Sequence, residues 1–113
     1  MRGVRRIKPG EEALGESIYS KLHVVGKQSV FACCDRELAG KMLKQGEIAF
    51  RVDEEFYGNI KINERELAKA LKENANINLV GKRAVGIALR EGIISGNDII
   101  KICGIPHVQI IKI

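Results

Sequence analysis

Tryptophan is missing from this chain, and its aromatic rings are limited to Phe31, Phe50, Phe56, Tyr19 and Tyr57. So few rings argue against a surface that holds single-stranded nucleic acid by stacking base after base. No apolar run approaches the roughly 20 residues that a helix needs to cross a bilayer. The basic opening Met-Arg-Gly-Val-Arg-Arg-Ile-Lys-Pro-Gly is followed by Glu-Glu-Ala-Leu-Gly-Glu-Ser, not by an apolar stretch. A secretory signal is therefore not expected. Three cysteines, Cys33, Cys34 and Cys103, make an odd count that fits reduced thiols in a cytoplasm. Cys-x-x-Cys spacing is absent, and neighbours on a strand point to opposite faces, which opposes a zinc site built from Cys33, Cys34, Cys103 and His107. Cys33 and Cys103 read as small core residues. Neither Gly40-Lys41 nor Gly81-Lys82-Arg83 carries the longer glycine-rich pattern of a phosphate loop. No metal, cofactor, membrane or small-molecule substrate is expected.

What is present is a basic chain of ordinary apolar content. The 113 residues, 45% of them hydrophobic, suit one domain with a modest core. Net charge is +5, from 19 basic and 14 acidic residues. Its distribution is uneven. Arg2, Arg5, Arg6 and Lys8 open the chain with no acid among them, and Glu11, Glu12 and Glu16 follow. Residues 1–16 read as an extension and residues 17–113 as a single domain. A short basic arm before a mildly basic domain is typical of proteins that follow phosphate backbones. A solvated tail explains the same composition.

Periodicity gives a mixed α/β reading. Residues 17–25 alternate and end at the turn signal Gly26-Lys27, and residues 29–34 continue as an antiparallel partner. Asp35 is placed to cap a short helix over 36–44, closed by Gly46. Residues 47–52 form a third strand, with Ile48, Phe50 and Val52 on one side. Asp53-Glu54-Glu55 reads as a solvated acidic bend, with magnesium binding the alternative. Asn63-x-x-Glu66 is a capping box that opens a helix over 64–72, with Leu67, Ala70 and Leu71 inward. Asn78 is placed to cap a second helix running to Gly92. Residues 98–103 and 107–113 close the domain as strands around Gly104-Ile105-Pro106. The predicted architecture is a single α+β domain, a mixed or antiparallel sheet packed with about three helices.

The last third carries the functional candidates. On a helical wheel Val80, Ala84, Val85, Ile87, Ala88 and Leu89 share one side, and Lys82, Arg83 and Arg90 fall within about 100° on the other. Gly86 lies among those three cations. A helical glycine costs roughly 1 kcal/mol relative to alanine, so Gly86 calls for a reason such as close approach of a partner backbone. Gly81 offers N–H groups to an anion, or serves only in packing. His107, after Pro106, contacts RNA, orders its own turn, or takes part in acid–base chemistry with Cys34 and Asp35.

Four ordered segments carry a family resemblance. They are Cys34-Asp35-x-Glu37-Leu38-x-Gly40-Lys41, then Phe56-Tyr57-Gly58, then Ala75-Asn76 with Gly81, Ala84, Val85, Ala88 and Gly92-Ile93, and last Gly104-x-Pro106-His107-x-Gln109-Ile110. With these the chain from about Ile18 onward resembles the archaeal domain-of-unknown-function family 424, a set of small proteins described as predicted RNA-binding. The resemblance implies a cytosolic archaeal protein connected with RNA or translation, and supplies no reaction. The expectation is a non-enzymatic, ribosome-associated RNA-binding protein. Arg2, Arg5, Arg6, Lys8, Lys82, Arg83, Arg90 and His107 would contact ribosomal RNA, beside neighbouring ribosomal proteins. The alternatives are a protein-interaction module that uses the Ile-rich last strand as a pairing edge, and a small enzyme using His107, Cys34 and Asp35.

Overall fold

Alternation along residues 18–35 builds the first hairpin. β1 (Ile18–Val25) and β2 (Gln28–Asp35) pair antiparallel from Ile18 opposite Asp35 to Val25 opposite Gln28. The computed structural model describes residues 18–113; the segment carrying Arg2, Arg5, Arg6 and Lys8 lies outside them. Six strands make the main sheet, in the order β5 (Ile60–Ile62), β1, β2, β6 (Asn76–Val80), β8 (Ile105–Ile111), β7 (Ile100–Ile102). β2 and β6 run parallel and the other neighbours antiparallel, so the sheet is mixed. β3 (Met42–Gln45) and β4 (Ile48–Arg51) form a separate two-stranded ribbon. Among the described residues there are three α-helices: α1 (Glu54–Tyr57), α2 (Glu64–Glu73) and α3 (Lys82–Arg90).

The pleat divides the core in two. Phe31, Cys33, Ile77, Leu79, Val108 and Ile110 point to the face where Leu67 and Leu71 of α2 and Ala84, Val85, Ile87 and Ala88 of α3 cover them. Ala32, Cys34 and Val80 point to the other face, under Leu38, Leu43, Val52 and Tyr57. The central strand β6 thus buries residues on both sides, as strands inside a parallel pairing do. Cys33 and Cys34 are buried in different layers, as their adjacency on a strand requires. The capping box forms: Asn63 Oδ1 accepts from the Glu66 N–H at 2.8 Å, and Glu66 Oε1 accepts from the Asn63 N–H at 3.1 Å.

Several local expectations are corrected. Residues 36–44 are not a helix. A single 3-10 turn, Arg36–Leu38, ends at Gly40, whose φ of 81° no helix interior adopts, and the chain continues as β3. The Gly40 N–H and Val52 carbonyl join at 2.7 Å, tying the ribbon's two ends together. Asn78 caps nothing. It lies in β6, because Ile77 and Leu79 alternate into the helix-side core and the helix starts only after Gly81. Val80 is therefore a strand residue, not part of the helical stripe. The acidic bend is a capped helical turn, with Asp53 Oδ1 accepting from the Glu55 N–H at 2.8 Å. Cys103 is exposed, not core. It turns the β7–β8 hairpin with a φ of 55°, its N–H bonded to Gln45 Oε1 at 2.7 Å. β8 is flanked by β6 on one side and, over its first part, by β7 on the other, so among the described residues its pairing edge is half covered. No helix among the described residues is long and apolar enough to cross a membrane.

Leu79→Ala should cost about 3 kcal/mol, since its side chain is enclosed between β2, β8 and α3. Ile60→Ala, at 62% exposure on an edge strand, should change stability by less than about 0.5 kcal/mol. Urea titration of both variants measures the contrast.

Candidate functional site

α3 begins without a capping side chain of its own. Gly81 occupies the N-cap position at a φ of 114°, and a glycine offers no acceptor. The cap comes from 48 residues upstream: Asp35, at the end of β2, accepts from the Arg83 N–H at 3.0 Å and the Ala84 N–H at 2.9 Å. A Cβ on Gly81 would lie 2.3 Å from the Asp35 carboxyl carbon, so only glycine lets the carboxylate reach the helix. The anion-binding end of α3 is thereby filled by the protein's own carboxylate, and Gly81 does not present that end to a phosphate. Burial raises the Asp35 carboxyl above its usual range, against the lowering by the two backbone N–H groups.

The same end of the helix engages Arg83. Its guanidinium bonds the Glu37 carboxylate and lies 3.7 Å from Asp35. That contact lowers the Glu37 carboxyl from its ordinary value and raises Arg83. Arg90, at the other end of α3, pairs with Glu64 at 3.0 Å and Glu91 at 3.5 Å. Lys82 is exposed, with no acid within 4 Å among the described residues. The three cations of the helix are thus one free lysine and two paired arginines, roughly 10 Å apart along the axis between Arg83 and Arg90. Nothing lies within 4 Å of a Cβ built on Gly86.

His107 lies on the opposite face of the sheet from α3. Its ring packs on Phe50 at 4.8 Å, and its Nε2–H points at Asn78 Oδ1 at 3.1 Å. The buried Tyr57 hydroxyl donates to the same Asn78 oxygen at 2.6 Å. Burial lowers the pKa of His107, which keeps the ring neutral at pH 7 and removes it as a cation for phosphate. Burial raises Tyr57 likewise. The enzyme alternative meets three obstacles. Cys34 and His107 share a row with Val80 between them, roughly 10 Å apart across two strand spacings. The Cys34 thiol is pushed up to about 12, first by burial and then by Asp35, which keeps it protonated. Asp35 points to the other face, where α3 holds it.

The sequence reading missed a second set of cations. On the ribbon, Leu43 and Phe50 face inward as a pair, so the pairs Met42–Arg51 and Lys44–Ala49 face outward. Arg36 and Lys41 are exposed where the ribbon meets the sheet. The signal was available. Residues 42–51 alternate around Gly46, whose φ of 60° turns a hairpin and does not stop a helix.

Two variants separate long-range from local capping. Asp35→Ala should lose about 3 kcal/mol, because two buried N–H groups lose a charged acceptor. Asn63→Ala should lose about 1 kcal/mol. The Glu37 contact is readable by pH. A carboxyl held below its unfolded value stabilises the fold above that value and stops doing so as pH falls through the folded one. The stability advantage of the wild type over Glu37→Gln should therefore be present at pH 6 and shrink as the pH falls below the ordinary carboxylate range, measured by urea unfolding across that range.

Among solved structures, the crystal structure of an uncharacterized conserved protein from Methanopyrus kandleri shares this fold, with a TM-score of 0.69 and 25% identity over 85% of this chain and 93% of that one. No curated protein matches the chain. The family model described as "Protein of unknown function (DUF424)" matches residues 23–113, and the chain belongs to that family.

Proposed function

We propose that this protein binds RNA without performing chemistry, in the translation apparatus, through contacts to phosphate. Ribosomal RNA is the favoured target. The supporting observation is how its charges are used. Among the described residues, acids are largely committed internally: Asp35, Asp53, Glu66 and Asp98 cap helices or turns, and Glu37, Glu64, Glu73 and Glu91 hold cations. Arg36, Lys41, Lys44, Arg51 and Lys82 are exposed with no acid within 4 Å among the described residues.

These five flank one region, the outer side of the β3–β4 ribbon and the adjoining end of the sheet. Arg36 follows Asp35 directly, and Lys82 precedes the two residues that Asp35 holds. Ile18 is paired with Asp35, so the segment bearing Arg2, Arg5, Arg6 and Lys8 joins the domain at that end. A lysine and arginine surface of this kind contacts backbone and carries little base sequence information. Arg83 and Arg90 contribute by leaving exposed ion pairs, which are weak enough for a phosphate to replace.

Replacing Arg36, Lys41, Lys44, Arg51 and Lys82 by alanine together should weaken binding to ribosomal RNA. It should also flatten the dependence of log K on log salt by about 0.7 to 0.9 per lost contact. An unchanged slope in filter binding from 50 to 300 mM salt would contradict the assignment. Gly86→Ala is a finer probe. It should raise the stability of the free protein by about 1 kcal/mol. If RNA backbone approaches that glycine, it should weaken binding at the same time.

A further inference from the structure

Two adjoining clefts open on the ribbon side of the sheet, among β1, the 3-10 turn after β2 and the chain around α1. The larger, of about 420 Å³, is lined by Tyr19, Arg36, Glu37, Glu54, Gly58 and Asn59. The smaller, of about 350 Å³, shares Glu54, Gly58 and Asn59 with it and reaches Lys21. Both fall in the roughly 300–1,000 Å³ range of small-ligand sites. Tyr19 stands on β1 between Cys34 and Lys61, half-buried against the ribbon-side core. Glu54 is held in the wall by a missing side chain: a Cβ on Gly40 would lie 2.5 Å from Glu54 Oε1. The Glu54 carboxylate makes no hydrogen bond or ion pair among the described residues. Glu37, by contrast, is taken by Arg83. Gly58 lies so close to β1 that a Cβ on it would overlap the Ser20 carbonyl oxygen, and this close approach sets the exposed Asn59 at the rim.

We propose that the larger cleft takes one unstacked guanine of the bound RNA, with the base on Tyr19 and Glu54 and its phosphate on Arg36. The inference rests on the phosphate-binding reading of Arg36 and adds one base to it. The chemistry of the wall selects the ligand. An ionised carboxylate only accepts, so Glu54 calls for an edge of donors. Guanine is the one common RNA base with two neighbouring donors on one edge, a ring N–H and an exocyclic amine, and one carboxylate takes both. A cationic ligand would also satisfy Glu54. Arg36 opposes it, because this guanidinium lines the same cleft with no acid within 4 Å among the described residues and calls for an anion. A guanine nucleotide meets both demands. The Asn59 amide carries a donor for the guanine carbonyl oxygen. One ring serves one base, so the scarcity of aromatics that opposes stacking along a strand leaves room for this site.

The test is an NMR titration of the full chain with the monophosphates of guanosine, adenosine, cytidine and uridine. The guanine nucleotide should shift the Tyr19 ring signals and the amides of Gly58 and Asn59, and bind about fivefold or more tighter than the other three. Inosine monophosphate lacks the exocyclic amine and should bind about fivefold or more weaker than the guanine nucleotide. Glu54→Gln should abolish the preference for guanine. Arg36→Ala should weaken guanosine monophosphate by about threefold and leave guanosine unchanged. The inosine comparison uses the wild-type chain and stands if either variant does not fold. In filter binding to ribosomal RNA, Glu54→Gln should keep the full salt slope, since it removes no cation. The cleft and the phosphate surface therefore fail separately: the first by the nucleotide titration, the second by the slope of the five-cation variant. Equal binding of the four nucleotides, no shift at Tyr19, Gly58 and Asn59, inosine binding as tightly as guanine, or free arginine binding more tightly than guanosine monophosphate would each overturn the assignment.

Discussion

The Asp35 carboxylate joins the two layers of this protein. It leaves the end of β2 and takes the first free N–H groups of α3, so the helix that covers the central strands is held to the sheet at its start. The requirement propagates outward. Gly81 must lack a side chain, because the carboxylate occupies its Cβ position. The Gly81 N–H bonds the Pro106 carbonyl, which sets β8 beside β6. Arg83 turns to Glu37 and Asp35, which ties the 3-10 turn after β2 to the same helix. One buried acid thus aligns β2, α3 and β8. Its ionised form is costly to bury, and the helix N-terminus offsets that cost.

That arrangement explains why the charged surface differs from a helical-wheel reading. A wheel shows which side chains share a face, not what lies opposite them. The arginines of α3 meet Glu37, Glu64 and Glu91, which come from other elements or from the helix end. Among the described residues, unpaired cations also lie on the ribbon, where the inward pair Leu43–Phe50 sets Lys44 and Arg51 outward. His107, grouped with the arginines by sequence, is a neutral ring in the layer beneath that ribbon, sharing the Asn78 oxygen with Tyr57.

What was legible in the sequence was what local chemistry specifies. The Asn63–Glu66 capping box spans three residues and reads correctly, as do the β1–β2 hairpin and the opposite faces of Cys33 and Cys34. A sheet packed with helices was also readable, from alternation and apolar periodicity, with α2 and α3 among the expected helices. The errors share a cause. Asp35 has the identity of a cap and was assigned to the nearest downstream helix, but its helix lies 48 residues on. Asn78 has the identity of a cap, yet in a strand its neighbours alternate into the core while its own side chain serves a tyrosine and a histidine from elsewhere. Cys103 is apolar enough for a core and sits in a turn because Gly104 follows it. Partners distant in sequence leave no mark in a short window.

The most direct test of the account is ultraviolet crosslinking of the full chain to RNA in cell extract, followed by mass mapping of the crosslinked peptides. The account predicts crosslinks in residues 36–51 and at the start of α3 around Lys82. Crosslinks confined to Arg65 and Lys69 on α2, or none at all, would contradict it.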